Sequence, residues 1–265
     1  MHMMGETTAQ DQIEIRMWVT GNGGTKKSTM GLTFDFRKIL TEGRYEPLAW
    51  CEQQVTWVKI LNHGQVRPES YPVYYWDAIK NLLPRYEAPN VPEPLPEPIA
   101  KLYQIEGNEE KYRTPPGPLV RPVLHEQLIE TSLDNGNLVG NIYFANYYAW
   151  MGQTRDRYFY NLIPDYFRIT GEKGELLCLE CRVDHLREAM PFDRIVVTMA
   201  LKALNTFSAT FYFEYFRLDP DGARMKLAVG EHLAVWVKRN DQGQPIPAPF
   251  PQAVLDDYQH VMAAN

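Results

Sequence analysis

The sequence has little of what marks secreted, membrane-spanning or nucleic-acid-binding proteins. Three cysteines in 265 residues are too few for a disulfide framework, so a reducing compartment is expected. No apolar run approaches the roughly 20 residues that span a bilayer, and Met1–Gly5 lacks the basic flank and apolar core of a signal peptide. Lys and Arg total 27 against 33 Asp and Glu, a net charge of −6 without a basic stripe. The sequence therefore predicts a cytoplasmic globular protein that binds neither nucleic acid nor membrane.

What the chain does contain is 45% hydrophobic and 12% aromatic residues, enough for one or two packed cores. Prolines cluster between Pro84 and Pro122. Because proline fits neither a helix interior nor a central strand, this stretch predicts a linker that runs over the surface. We therefore expect a first domain over residues 1–84, a proline-rich linker over 85–119, and a longer second domain over 120–265.

The two predicted domains contain similar strand-like segments. Ser28–Arg37 resembles Ser208–Arg217 at an offset of 180 residues. Ala49–Lys59 resembles Ala228–Lys238 at an offset of 179, with shared Glu and Trp-Val-Lys positions. Amphipathic strands can look alike by chance, but the near-constant offset favours an internal duplication. The first copy has no counterpart of the long helix of the second, so it is predicted to be incomplete, whether truncated or degenerate.

One long helix is predicted over Ile142 to about Tyr160, because apolar side chains recur there at nearly helical spacing. Asn141 is a plausible cap, and Pro164 lies beyond the end of the helix. The second domain thus predicts a strand, a turn, this helix and four more strands. A largely apolar helix wrapped by an antiparallel sheet is the hotdog arrangement. The predicted fold class is therefore α+β, a tandem hotdog fold with an incomplete first copy.

The segment Leu133–Asp156 resembles the opening motif of the 4-hydroxybenzoyl-CoA-thioesterase-like hotdog family. It is most similar to the small thioesterases that accompany enediyne-type iterative polyketide synthases. The residues that carry the resemblance are Asn137, Leu138, Val139, Gly140, Asn141, Tyr143, Asn146, Tyr147, Trp150, Gly152, Arg155 and Asp156. The resemblance covers about Val120 to Val237 and implies an acyl thioesterase that requires no metal or organic cofactor.

Thioester hydrolysis needs donors aimed at the developing oxyanion and a water placed at the carbonyl carbon. The turn Leu138–Ile142 leads into the helix N-terminus, whose N–H groups and positive dipole end could receive the oxyanion, and Gly140 permits close approach. Where the family has an aspartate, this chain has Asn137, an amide that can orient water or the carbonyl but cannot be a nucleophile. The enediyne-type resemblance implies that Asn137 and Arg155 are the catalytic residues.

Each of these residues also has a structural interpretation. Arg155 could pair with a neighbouring acid such as Asp156 or Asp184, and Asn137 could be a simple turn residue. Substrate contact is predicted for a further set, whose aromatic and apolar members could equally be the core face of the helix: Gly140, Asn141, Tyr143, Asn146, Tyr147, Trp150 and Met151.

Weaker signals predict no chemistry. Cys178 and Cys181 form a lone C-x-x-C, and an odd spacing in a strand is expected to place the two thiols on opposite faces. His185 follows a predicted strand and is a weak candidate base. Gly21–Ser28 lacks the spacing of a phosphate loop, and no Gly-x-Ser-x-Gly elbow is present.

The predicted function is hydrolysis of a polyketide or fatty acyl thioester, acting as a homodimer. The carrier, an acyl carrier protein that presents the chain on phosphopantetheine rather than coenzyme A, is implied only by the enediyne-type resemblance. The competing hypothesis is a non-hydrolytic hotdog module that binds or folds a polyketide intermediate or scaffolds a larger synthase. The absent acid, the incomplete first copy and the proline-rich linker favour that alternative.

Overall fold

The structure is a computed structural model that describes residues 1–7, 9–23, 28–41, 43–62, 65–80, 122–137, 139–167 and 174–263. The chain divides into two compact units, Met1–Ala100 and Lys101–Asn265. The predicted linker over 85–119 lies outside the described residues, as do Leu138 and residues 24–27 of the glycine-rich loop. Among the helices of the described residues, none combines the length and hydropathy needed to span a membrane.

The first unit is built on an antiparallel sheet of four strands in the order β2-β3-β4-β1. Its elements are β1 (His2–Met3), β2 (Ile13–Gly23), β3 (Thr29–Thr41), β4 (Arg44–Thr56), β5 (Val58–Asn62), β6 (Gln65–Pro68) and α1 (Val73–Lys80). The sequence predicts one strand over Pro47–Ile60, and the structure interrupts it at Trp57. The N–H of Trp57 donates to Ser28 and its carbonyl accepts from Glu69, so the chain leaves β3 and starts the β5–β6 hairpin there.

The second unit is a five-stranded antiparallel sheet in the order β8-β11-β10-β9-β7, with a short strand β12 beside β11. Its elements are β7 (Val123–Glu130), α2 (Ala145–Leu162), β8 (Glu175–His185), β9 (Arg194–Leu204), β10 (Ser208–Leu218), β11 (Arg224–Arg239), β12 (Pro245–Pro247) and α3 (Gln252–Ala263), with 3₁₀ turns at Leu133–Asn135 and Pro164–Phe167. The predicted strands agree with β8 to β11 within one residue at either end, because each alternates regularly between buried and exposed sides.

Helix α2 packs on one face of this sheet and forms the core of the second unit. Tyr147, Trp150 and Met151 are buried on the helix, opposite a sheet face that includes Phe211, Phe213, Tyr215 and Trp236. The approach is closest at Gly230, where an added Cβ would lie 2.7 Å from Met151 Cε. The predicted arrangement of a long apolar helix wrapped by an antiparallel sheet is confirmed for this unit.

The helix begins and ends slightly later than its spacing predicts. Its first residue is Ala145 and its N-cap is Phe144, not Asn141. The N–H of Ile142 donates to Ala189 and that of Tyr143 to Asn135, so these residues are held in a turn before the helix. The helix ends at Leu162, since the residue that precedes Pro164 is disfavoured in helical conformation.

Candidate active site

Asn137 lies in the turn that precedes α2 and helps to build it. Its N–H donates to the carbonyl of Asn141, its carbonyl accepts from Gly140, and its Oδ1 accepts from the N–H of Val139 at 2.9 Å. Gly140 has φ +89°, a conformation that favours glycine. The side-chain oxygen of Asn137 is therefore used by the turn. Its amide nitrogen makes no hydrogen bond to another described residue, and an NH₂ group there can only donate.

The backbone amides of this turn differ from the predicted oxyanion cradle. Those of Val139, Gly140, Ile142 and Tyr143 already donate, to Asn137 Oδ1, Asn137 O, Ala189 O and Asn135 O respectively. The N–H groups of Phe144 and Ala145 make no hydrogen bond to another described residue. Because the helix dipole also favours negative charge at this end, the first turn of α2, rather than the 138–142 turn, offers donors to an oxyanion.

A carboxylate that the sequence analysis missed contacts the same turn. Glu188 Oε2 accepts a hydrogen bond of 2.5 Å from Asn141 Nδ2, across 47 residues of chain. His185 lies against Tyr147 with ring centroids 4.6 Å apart. Burial lowers the pKa of His185, and burial together with the charge of Glu188 raises the pKa of Tyr147. No local pattern marks Glu188, since it reaches the turn only through the fold.

Arg155 extends from α2 toward the centre of the sheet and is only 18% exposed. Its Nε and Nη2 donate to Asp156 Oδ1 at 2.9 and 2.7 Å. Its Nη1 lies 3.4 Å from His232 Nε2 on β11. Of the two acids that sequence reasoning named as partners, Asp156 is the one in contact, whereas Asp184 pairs with Arg182. His232 was not predicted.

The two predicted catalytic residues are not adjacent within one chain. Asn137 lies before the start of α2, and ten residues separate Ala145 from Arg155. At 1.5 Å per residue, Arg155 is about 15 Å along the helix from its N-terminus. A site that uses both residues therefore has to span this distance or to draw on a second copy of the chain.

The other predicted substrate contacts fall into two groups. Tyr147, Trp150 and Met151 are at most 3% exposed, in agreement with their interpretation as core residues. Asn146 donates from Nδ2 to the carbonyl of Asn135, a bond that ties the helix to the preceding 3₁₀ turn. Tyr143 remains 46% exposed beside Phe144, so its ring is accessible to a ligand.

The expectation that Cys178 and Cys181 lie on opposite faces is wrong. A register shift in the β8–β11 pairing places Glu180 opposite Leu233 but Cys178 opposite Ala234. This bulge adds one residue between the cysteines, so both thiols lie on the face toward α2 and hydrogen-bond to each other. That bond raises the pKa of Cys178 and lowers the pKa of Cys181. Among the described residues, no group of three or more His, Cys, Asp and Glu could hold a metal ion.

An apolar cleft lies one helical turn beyond Arg155, where Tyr158 faces helix α3. Tyr158 also donates from its hydroxyl to Asp257 on α3 at 2.9 Å. The lining residues are Leu124, Tyr158, Leu201, Leu204, Ala209, Phe211, Phe250, Val254 and Tyr258. Such a surface suits a hydrocarbon chain and offers nothing to a charged group.

Comparison with known proteins assigns a class to the second unit. Residues 133–258 match the family model described as the thioesterase-like superfamily. No curated protein matches the chain. Among solved structures, the dynemicin thioesterase, whose crystal structures describe polyene binding, is 27% identical over 51% of this chain and 95% of its own, with a TM-score of 0.47.

Two other solved structures are similar at lower identity. The 4-hydroxybenzoyl CoA thioesterase from Pseudomonas sp. strain CBS-3 is 14% identical over 51% of this chain and 96% of its own, with a TM-score of 0.44. A 1,4-dihydroxy-2-naphthoyl-CoA thioesterase from Synechocystis is 13% identical over 51% of this chain and 95% of its own, also with a TM-score of 0.44.

The fold and the family match together define the second unit as a hotdog thioester hydrolase domain. Residues 133–258 belong to the thioesterase-like superfamily, as the motif at Leu133–Asp156 predicted.

Proposed function

We propose that this protein hydrolyses a polyketide or fatty acyl thioester carried on the phosphopantetheine of an acyl carrier protein, in the cytoplasm. The observation that carries the proposal is Arg155, a guanidinium only 18% exposed beneath an otherwise apolar helix. A buried cation is unfavourable unless it has a task or a set of partners. The apolar cleft at Tyr158, one turn away, supplies room for the chain of such a substrate.

In this proposal the thioester carbonyl accepts hydrogen bonds from the first-turn amides of α2 and from the amide nitrogen of Asn137. Water adds to the carbonyl carbon, the carbon–sulfur bond breaks, and the thiolate that leaves takes up a proton. Arg155 stabilises the negative charge that develops on oxygen. No covalent intermediate forms, because an asparagine at position 137 cannot act as a nucleophile.

A homodimer follows from the separation of the two residues. Since Asn137 and Arg155 are about 15 Å apart along one helix, a second copy that contributes one of them completes the site. Dilution through the dissociation range of the dimer should then lower the specific activity. A rate per chain that stays constant through dissociation would contradict the dimeric site.

The carrier is tested by comparing the same acyl chain on three carriers: an acyl carrier protein, pantetheine and coenzyme A. A higher kcat/KM for the carrier-protein substrate supports the proposal. Equal values for all three would limit the proposal to thioester hydrolysis without a protein carrier.

One observation favours a second candidate, a non-hydrolytic module that binds an acyl chain. The turn amides predicted to receive the oxyanion already donate within the turn, and the side-chain oxygen of Asn137 is also engaged. A binding module would retain acyl chains and release no thiol, so thiol release separates the two candidates.

A further inference from the structure

His232 is a buried polar residue in a part of the sheet where packing alone would select an apolar one. It lies on β11 and is 2% exposed. The residues that share its face of the strand are Ala228, Gly230, Ala234 and Trp236. A polar ring in such surroundings loses its contacts with water and requires a compensating partner.

That partner is Arg155. His232 Nε2 lies 3.4 Å from Arg155 Nη1, and Nδ1 is buried without a hydrogen bond to any described residue. Burial, aided by the positive charge of Arg155, lowers the pKa of His232 to about 3. The ring is therefore neutral at pH 7. Because a guanidinium only donates, Nε2 is the acceptor and the ring proton is on Nδ1.

The guanidinium of Arg155 is consequently held on two sides. Asp156 accepts from Nε and Nη2, but the Asp156 side chain is 46% exposed, and an ion pair this open to water restrains an arginine weakly. The contact with His232 is within the core and has a fixed direction. With three donors engaged, one N–H on Nη1 and one on Nη2 remain for an acyl oxygen.

We propose that His232 is a positioning residue that holds the Arg155 guanidinium in its working orientation. The proposal rests on the proposed function, in which Arg155 stabilises charge on the thioester oxygen. Cys181 lies directly opposite His232 on β8, with its thiol bonded to Cys178, so the polar cluster beneath α2 consists of these two cysteines, His232 and Arg155.

The test compares His232→Leu, which removes the acceptor, with His232→Gln, whose side-chain oxygen retains one. His125→Leu on β7 is the matched control, since His125 lies against Tyr158 and not against Arg155. In thiol release from acyl-pantetheine, we expect kcat to fall about tenfold in His232→Leu with little change in KM, and to recover in His232→Gln. His125→Leu should retain the wild-type rate, and His232→Leu should unfold at no lower temperature than wild type.

A double-mutant cycle separates positioning from a general structural role. In an Arg155→Ala background, His232→Leu should have no further effect on kcat, because there is no guanidinium left to orient. An effect of His232→Leu that is as large without Arg155 as with it would overturn the proposal.

Nitrogen-15 NMR of the arginine side chains provides a readout that does not depend on turnover. The Nη protons of Arg155 should be resolved in wild type and His232→Gln, and averaged by rotation in His232→Leu. Identical Arg155 signals in wild type and His232→Leu would overturn the proposal at any level of activity. If wild type releases no thiol but the NMR difference is found, the proposed function fails and the positioning of Arg155 by His232 stands.

Discussion

The two units contain the same three-stranded antiparallel pattern, and they differ in what covers it. In the β3–β4 pairing Phe36 lies opposite Ala49, and in the β10–β11 pairing Tyr215 lies opposite Ala228. Both partners are thus 179 residues further along in the second unit, and in both pairings a bulge follows directly, at Phe36/Arg37 and at Tyr215/Phe216.

The neighbouring pairing repeats in the same way. Val19 lies opposite Leu32 and Leu201 opposite Phe211, in each case beside a register shift. Helix α1 begins at Val73 and helix α3 at Gln252, again 179 residues apart. Because a bulge is an irregularity that two unrelated sheets have no reason to share, this agreement supports the predicted duplication.

The difference lies on the face that α2 covers in the second unit. Ile195, Val197 and Met199 on β9 are each 0% exposed beneath that helix. Their register counterparts on β2 are exposed: Ile13 at 47%, Ile15 at 58% and Met17 at 58%. In the first unit Tyr71 and Tyr75, which precede and lie on α1, pack only at the Met30 end of the face. Identical strand patterns therefore specify the sheet, and an 18-residue helix specifies the core.

The largest expected effect compares equivalent methionines on the two faces. Met199→Ala should lower the free energy of unfolding by about 2–5 kcal/mol, because it leaves a cavity beneath α2. Met17→Ala should change it by less than about 0.5 kcal/mol, because that side chain is largely in water. Denaturant unfolding of both variants measures this. Equal losses would show that the β2 face is buried as deeply as the β9 face.

The next largest effect is the pH dependence due to His232, whose register counterpart in the first unit is the non-titrating Gln53. The histidine titrates near 6.5 when unfolded and near 3 when folded, so the unfolded chain binds more protons between these values. The stabilisation is therefore present above pH 6.5 and is lost as the pH falls toward 3, by up to about 1.4 kcal/mol per pH unit.

His232→Leu should reduce this slope by up to one proton in urea unfolding between pH 6.5 and 4.5. His125 and His185, whose pKa values are also lowered by burial, contribute with the same sign and are unchanged in the variant. An unchanged slope would show that His232 is not buried as a neutral ring.

A smaller effect is expected where α2 approaches the sheet. Gly230→Ala places a methyl group 2.7 Å from Met151 Cε, and since that methionine end can shift, the loss of stability should be about 1 kcal/mol. The corresponding position in the first unit holds Cys51, which no long helix restricts, so Cys51→Ala should cost less. Thermal unfolding of the two variants compares them. A larger loss for Cys51→Ala would place a close contact on the first unit instead.

The sequence predicts most of the strands and the long helix, since alternation and helical spacing are local. It places the start of α2 three residues early, because only the fold brings Ala189 and Asn135 to the N–H groups of Ile142 and Tyr143. It predicts opposite faces for Cys178 and Cys181, because a bulge depends on the partner strand. Helices α1 and α3 are also missed.

The candidate site is predicted in part for the same reason. Asn137 and Arg155 belong to a local motif, so their residue types and spacing could be recognised. Glu188 and His232 reach them across 47 and 77 residues, and nothing in the neighbouring sequence distinguishes these two from any other loop acid or strand histidine.

The most direct test of the central claim, that the second unit hydrolyses thioesters with Arg155 in its active site, is thiol release by wild type and Arg155→Ala. We expect turnover by wild type and a fall of about 10²–10³ in kcat for the variant, the effect of removing one transition-state donor, with an unchanged circular dichroism spectrum. Release of thiol at equal rates by both proteins, or binding of acyl chains by wild type without any release, would contradict the account.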